Sequence, residues 1–231
     1  MISNELDIGP LRERLKSHRR LQVLDFLQEP AADRLHACLR DEVPWEIAQR
    51  ADLPAPVHPL PMPGAPEEAA LLEAAYQRAR MGFEFVYDRY RMVDARREGR
   101  EPGLVLHVVL DFLNSPQFLD FARELTGDSA IRMVSAQAAR YRPGHFLTLH
   151  SDKAQDEDRA FAYVINLTRG WQSDWGGLLQ FVEKGQRISD TFVPHWNSLS
   201  LFQVPQAHQV SLVAPWAKEA RYSITGWFRR S

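Results

Sequence analysis

The sequence predicts a mainly β protein, a sandwich or jelly-roll barrel with a helical buttress. Two observations carry that prediction. After Gly127, eight short apolar segments follow one another over about 100 residues with no helical pattern between them. Before Gly127, the segments with helical spacing collect on the N-terminal side, where they would pack against the outside of the barrel. The reading is a single domain in two parts. Residues 1–130 form a helical support region with opening strands, and residues 131–231 form the β core.

The chain has 231 residues, 45% hydrophobic and 25% charged, an ordinary balance for a globular domain. A formal charge of −2 gives no basic field to attract nucleic acid or an anionic membrane surface. Cys38 is the only cysteine, which excludes an internal disulfide framework and a multi-cysteine zinc or iron–sulfur site, and fits a reducing compartment. The opening MISNELDIGPLRERLKSHRR is charged throughout and lacks the apolar centre of a signal peptide. No run reaches the roughly 20 apolar residues of a membrane helix. These features predict a soluble cytoplasmic protein with no nucleic-acid or membrane partner.

Taken in order, RLQVLDFL (20–27) reads as a strand, and the following segment has Ala32, Leu35, Cys38 and Leu39 at helical spacing. VPWEIA (43–48) reads as another strand. PAPVHPLPMPGAP (54–66) carries six prolines, which remove donors and restrain their predecessors, so it is an ordered crossing loop or a flexible flap. From Glu67 to about Glu98 the spacing of Leu71, Ala74, Ala75, Arg78, Met81 and Phe85 predicts one helix, whose mixed-charge end is a solvated face. Residues 104–127 read as two short helices, the second capped by Ser115 and ended by Gly127. The β segments then run IRMVSAQAARY, HFLTLHSD, AFAYVINL, GLLQFVEK, SDTFV, NSLSLFQV, AHQVSLVA and RYSITGWF.

Chemistry concentrates in this half. In YRPGHFLTLHSD, strand alternation puts His150 and Asp152 on one face and Ser151 on the other. Alone, an H-x-D pair is more often a hydrogen-bonded polar pair than a metal site. His208, in VPQAHQVSLV, is a second candidate imidazole. In EARYSITGWF, Arg221, Ser223, Thr225 and Trp227 share a face, opposite Tyr222, Ile224, Gly226 and Phe228. An arginine facing a barrel interior is costly to desolvate and needs an anion, either an internal carboxylate or a ligand. Tyr141 lies on the strand before His150 and divides between core packing and ligand contact. Two histidines and one carboxylate would leave open positions on a six-coordinate ion, as in non-haem Fe(II) oxygenases. His145 and His195 read as surface or hydrogen-bonded histidines. Trp171 and Trp175 read as rim packing, and SDKAQDEDR (151–159) as a solvated loop beside the metal.

At Tyr141, His150-Ser151-Asp152, His208-Gln209-Val210 and Arg221-Tyr222-Ser223, in that order, the chain resembles the 2-oxoglutarate- and Fe(II)-dependent dioxygenases of the prolyl 4-hydroxylase-like branch. The resemblance covers about residues 131–231. It implies a double-stranded β-helix (a cupin-like jelly roll), iron held by His150, Asp152 and His208, and 2-oxoglutarate anchored by Arg221 with Tyr141 and Ser223 as neighbours. Some relatives carry a co-substrate-binding tyrosine where this chain has Asn166, with Tyr163 on the opposite face. The resemblance further implies hydroxylation of an unactivated carbon, with O2 consumed and ascorbate as an accessory reductant. The expected substrate is a prolyl residue in a protein or peptide, with a small molecule as the alternative. A competing class is a non-catalytic or differently metallated cupin-like binding or sensor protein, which would not need Arg221.

Overall fold

The computed structural model describes residues 1–48, 65–153 and 157–231. The proline-rich stretch, up to residue 64, and residues 154–156 of the charged loop after His150 lie outside the described residues. Helix α1 (Ile8–His18) is capped by Asp7, whose side chain accepts from the Gly9 N–H, and precedes β1 (Arg20–Val23). Next come α2 (Glu29–Asp41), β2 (Glu46–Ala48) and α3 (Pro66–Ala79), then β3 (Phe85–Tyr90) and α4 (Met92–Glu98). The paired helices α5 (Val105–Leu113) and α6 (Pro116–Thr126) follow. Ser115 caps α6 by accepting from the Phe118 N–H, Pro116 fits its first turn, and Gly127 ends it in a left-handed conformation.

The remaining strands are β4 (Met133–Tyr141), β5 (Phe146–His150), β6 (Arg159–Asn166), β7 (Leu179–Glu183), β8 (Arg187–Phe192), β9 (Ser198–Gln203), β10 (His208–Val210) and β11 (Arg221–Arg229). Each of the eight segments read as a strand from the sequence forms one. All pairings are antiparallel, in the order β1-β9-β6-β11-β4-β3-β5-β10-β7-β8, with β2 alongside β3. The sheet curls into a nearly closed barrel. Its two edge strands, β1 and β8, meet through side chains: Arg20 Nε donates to Asp190 Oδ2 at 3.1 Å and its Nη2 to Ser189 Oγ at 3.1 Å.

Alternation along β11 divides the interior. Tyr222, Ile224 and Phe228 point into the large core beneath the helices, with Phe26, Leu39, Leu106 and Phe118. Burying each large apolar side chain there contributes about 1.5–3 kcal/mol. Arg221, Ser223, Thr225 and Trp227 face the cavity inside the barrel.

The single helix expected over 67–98 is not formed. It is α3, then β3, then α4. FVYDRY carries aromatic and β-branched residues with a period-2 burial pattern, half-buried and buried in turn. Strand pairing decides the outcome. The C-terminal half of β3 pairs with β4 (Asp88 with Arg140) and its N-terminal half with β5 (Phe85 with Leu147), so it bridges two parts of the barrel. The two strands read at 20–27 and 43–48 are shorter than expected, at Arg20–Val23 and Glu46–Ala48.

A buried charged cluster ties α3 to this region. Asp88, fully buried, accepts from Arg140 Nε at 2.7 Å and from Arg142 Nε at 2.7 Å. Arg142 also pairs with Glu68 of α3. His145 Nδ1, 1% exposed, accepts from the Arg142 main-chain N–H. Burial, reinforced by the neighbouring Arg142 charge, pushes the His145 imidazole down to about 3, so it is neutral.

Candidate metal and co-substrate site

Strand β5 ends at His150, and β10 places His208 directly across from it as its Cα partner. The two rings lie 4.2 Å apart at 54°. Asp152, two residues past the strand end, turns its carboxylate between them: Oδ1 is 3.5 Å from His150 Nε2 and Oδ2 is 3.6 Å from His208 Nε2. All three ligand atoms fall within 4.8 Å of one another. Ligands at about 2.1 Å from an ion, at right angles, stand roughly 3 Å apart, so a small cation fits this gap with little movement.

The tautomers agree with that use. His150 Nδ1 lies 3.0 Å from the Thr148 carbonyl and His208 Nδ1 lies 2.9 Å from the Gln206 carbonyl. A carbonyl only accepts, so each Nδ1 carries the proton and each Nε2 turns its lone pair to the shared point. Burial holds the His208 imidazole below its usual range, with His150 adding to the effect against the opposing Asp152 charge, so it is the neutral, ligating form. Burial opposes ionisation of Asp152, but His150, His208 and Trp227 outweigh it and keep the carboxyl below its ordinary range. Two imidazoles presenting Nε2 and one carboxylate are the donor set that suits Fe(II) with open positions.

The same cavity, about 460 Å³, runs from the triad to Arg221, and Tyr141 and Ser223 also line it. Arg221 is 3% exposed. Its Nη1 donates to the Gly177 carbonyl at 2.9 Å and its Nη2 to Asn166 Oδ1 at 3.3 Å. The Nε is buried without a hydrogen-bond partner, and among the described residues no carboxylate forms an ion pair with this guanidinium. Of the two anions open to Arg221, the internal carboxylate is therefore missing among the described residues. A buried, incompletely satisfied cation fits the far carboxylate of a dicarboxylic acid.

Neighbouring groups set its position. Tyr141 is the Cα partner of Arg221, its ring 5.4 Å from the guanidinium and stacked on Tyr87 at 4.9 Å and 11°. Asn166 is held by Nδ2 donating to Ser198 Oγ and Ser200 Oγ, which aims its carbonyl at Arg221. Tyr163 points to the opposite face, its hydroxyl donating to the Ser135 carbonyl. At Gly176, with φ of 69°, an added Cβ would sit 2.0 Å from the Leu212 carbonyl oxygen, so only glycine lets this turn bring the Gly177 carbonyl to Arg221. Trp171 packs as wall, donating to the Gly176 carbonyl, with Trp175 edge-on at 5.3 Å. His195 is exposed.

The mouth is built largely from residues that the sequence reading does not assign to the site. Phe83 lies 5.5 Å from the His150 ring, and its own ring, just before β3, is followed by those of Phe85 and Tyr87 on the strand. They were hidden by the helical reading of this segment. Gln137, whose Nε2 donates to the Tyr87 hydroxyl at 3.3 Å, was legible in principle, since it alternates with Ala139 and Tyr141 on β4. Arg159 stacks 3.7 Å over Trp227 and its Nη1 reaches the Asp152 carbonyl at 3.4 Å.

Residues 136–229 match the model of the 2OG-Fe(II) oxygenase superfamily, a span that contains the triad and Arg221. Prolyl 3-hydroxylase OGFOD1 of Mus musculus is 29% identical over 150 residues, 61% of this chain and 26% of that protein. Its Xenopus laevis counterpart is 34% identical over 121 residues, 48% of this chain and 23% of that protein. The chain thus spans about a quarter of the length of the curated relatives it matches. Among solved structures, a 2OG-Fe(II) oxygenase family oxidoreductase from Burkholderia pseudomallei superposes with a TM-score of 0.64 at 18% identity, covering 100% of this chain and 94% of that one. A Trichoplax adhaerens prolyl hydroxylase in complex with a hypoxia inducible factor peptide fragment gives 0.58 at 16% identity, covering 96% and 89%. These two structures speak to the fold. No helix among the described residues is long and apolar enough to cross a membrane.

Proposed function

We propose that this chain, whose residues 136–229 carry the 2OG-Fe(II) oxygenase domain, is an Fe(II)- and 2-oxoglutarate-dependent dioxygenase that hydroxylates a prolyl residue in a protein or peptide. The observation that carries the reading is one cavity with two unlike poles. A His-Asp-His cluster able to hold a cation lies at one, and a buried arginine without a carboxylate at the other.

In this reading His150, Asp152 and His208 hold the iron, and Arg221 takes the distal carboxylate of 2-oxoglutarate with its planar fork. Tyr141 and Ser223 line the channel between. When bound, Fe(II) with 2-oxoglutarate and O2 supplies the oxidising power that converts a C–H bond to C–OH, releasing succinate and CO2. The protein's own residues bind, orient and exclude water. Asn166 and the Gly177 carbonyl fix the Arg221 guanidinium before any ligand arrives, and apolar walls such as Leu179, Phe202 and Val210 keep bulk solvent from the reacting carbon. No side-chain acid or base is required.

The prolyl substrate is supported by the names of the OGFOD1 relatives and by the peptide-bound structural neighbour. Phe83 and Phe85 give the mouth an apolar rim suited to a pyrrolidine ring. The test is to incubate the protein with Fe(II), 2-oxoglutarate and ascorbate, offering proline-containing peptides, protein pools and free L-proline. Succinate should be released together with a peptide product heavier by one oxygen atom. Turnover on free proline or another small molecule alone removes the protein-substrate assignment. No succinate under any condition removes the dioxygenase assignment.

A further inference from the structure

We propose that Arg20, on the first strand of the chain, is a positioning residue for the metal ligand His208. The inference rests on the reading of His150, Asp152 and His208 as a metal site and adds to it a support from far away in sequence. His150 is fixed by its own strand, through the Thr148 carbonyl two residues before it. His208 is held at the same spacing, but by the carbonyl of Gln206, which lies in the loop outside its strand. It opens a strand of only three residues, in regular register with β7 but shifted against β5 between His208 and Val210, so its aim depends on how that loop is held.

Two groups hold the His208 ring: the Gln206 carbonyl, which accepts from Nδ1, and an aromatic backing of Phe202 at 4.6 Å and Phe181 at 6.3 Å. Arg20 reaches both supports. Its Nη1 donates to Gln206 Oε1 at 3.0 Å, while the Gln206 Nε2 donates to the Arg19 carbonyl at 2.8 Å, so the loop before His208 is tied to β1. The Arg20 guanidinium also lies 4.5 Å over the Phe181 ring. Its Nε and Nη2 donate to Asp190 and Ser189 on β8. One half-buried fork therefore closes the barrel edge and braces the loop and the ring that aim His208. Groups behind a metal-bound histidine set its orientation, and their loss typically costs about 10- to 100-fold in metal affinity.

The test uses Co(II) as the probe, titrated anaerobically into the whole chain, with its d–d absorption recorded alongside the dissociation constant. Arg20→Met should weaken Co(II) binding about tenfold or more and alter the absorption bands in a protein whose circular dichroism is unchanged. Arg20→Lys, which keeps the charge but offers no fork, should recover only part of the affinity. Gln206→Leu, which keeps the main-chain carbonyl but cuts the ties to Arg19 and Arg20, is the second variant and should weaken binding in the same direction. Arg34→Met, which breaks an exposed ion pair with Glu42 on α2, is the control and should change neither readout. Wild-type affinity and spectrum in folded Arg20→Met or Gln206→Leu would overturn the positioning role. Absence of Co(II) binding by the wild type would instead overturn the metal site beneath it.

Discussion

Two buried arginines in this barrel, Arg142 and Arg221, are nearly equally inaccessible, at 6% and 3% exposed, yet their surroundings are opposite. Arg142 is enclosed by the carboxylates of Asp88 and Glu68. Arg221 donates to a main-chain carbonyl and an asparagine amide and faces the Tyr141 ring, with no carboxylate partner among the described residues. A buried guanidinium with its anions in place is structural: it pins α3 to the turn between β4 and β5. One without an anion stores an interaction for a ligand. Burial alone does not separate the two roles; the missing counter-charge does.

The comparison can be broken at several points, the largest effect lying at the opposite pole of the Arg221 cavity. His208→Ala or His150→Ala should abolish iron binding and turnover with the fold intact, read by metal titration and circular dichroism. Full iron-dependent activity in His208→Ala would dissolve the pole. Next, Arg142→Ala takes one guanidinium away from the buried carboxylates of Asp88 and Glu68, while Arg140 stays on Asp88, and should cost about 3 kcal/mol of unfolding free energy in urea. The 2-oxoglutarate requirement of the folded fraction should not change. Arg221→Ala should do the reverse. Its apparent KM for 2-oxoglutarate rises about 100-fold while stability stays level or improves, because an unpaired buried charge has gone.

A smaller effect separates the regions by pH. Folding lowers the His145 pKa from near 6.5 to about 3, so the unfolded chain binds the extra proton and acid favours unfolding. The contribution of neutral His145 is complete above about pH 6.5 and declines toward pH 3. Between pH 7 and 5 the wild type should lose about 2 kcal/mol relative to His145→Asn, measured by urea denaturation at each pH. A constant difference would mean that His145 is accessible to protons in the native state. Smallest of all, Arg221→Lys should recover part of the co-substrate affinity lost in Arg221→Ala, since charge returns without the bidentate fork.

How much of this was legible in the sequence follows from the range of each interaction. The β half was readable because alternation is local: β11 shows its two faces residue by residue, while the pairing of His150 with Asp152 was pointed to by alternation although the strand itself ends at His150. Ser115 and Gly127 announced the bounds of α6. β3 was not readable, because the helix-like spacing leading into it was overridden by partners at Arg140 and Leu147, more than 50 residues away. With it went the aromatic wall of the mouth. The difference between Arg142 and Arg221 was also invisible. Alternation places Arg221 inside, but Arg142 lies in the turn after β4, where no alternation applies, and the carboxylates that satisfy it come from α3 and β3. The brace of His208 by Arg20 spans most of the chain, and no local pattern carries it.

Arg221, without a carboxylate among the described residues, and the His-Asp-His cluster are proposed as two ends of one binding site. Anaerobic calorimetry of 2-oxoglutarate tests this most directly, titrated into wild type, Arg221→Ala and Arg142→Ala, each with and without Fe(II). Wild type and folded Arg142→Ala should bind 2-oxoglutarate in a metal-dependent way, and Arg221→Ala should lose about 100-fold at undiminished iron affinity. Equal 2-oxoglutarate affinity in wild type and Arg221→Ala would contradict it.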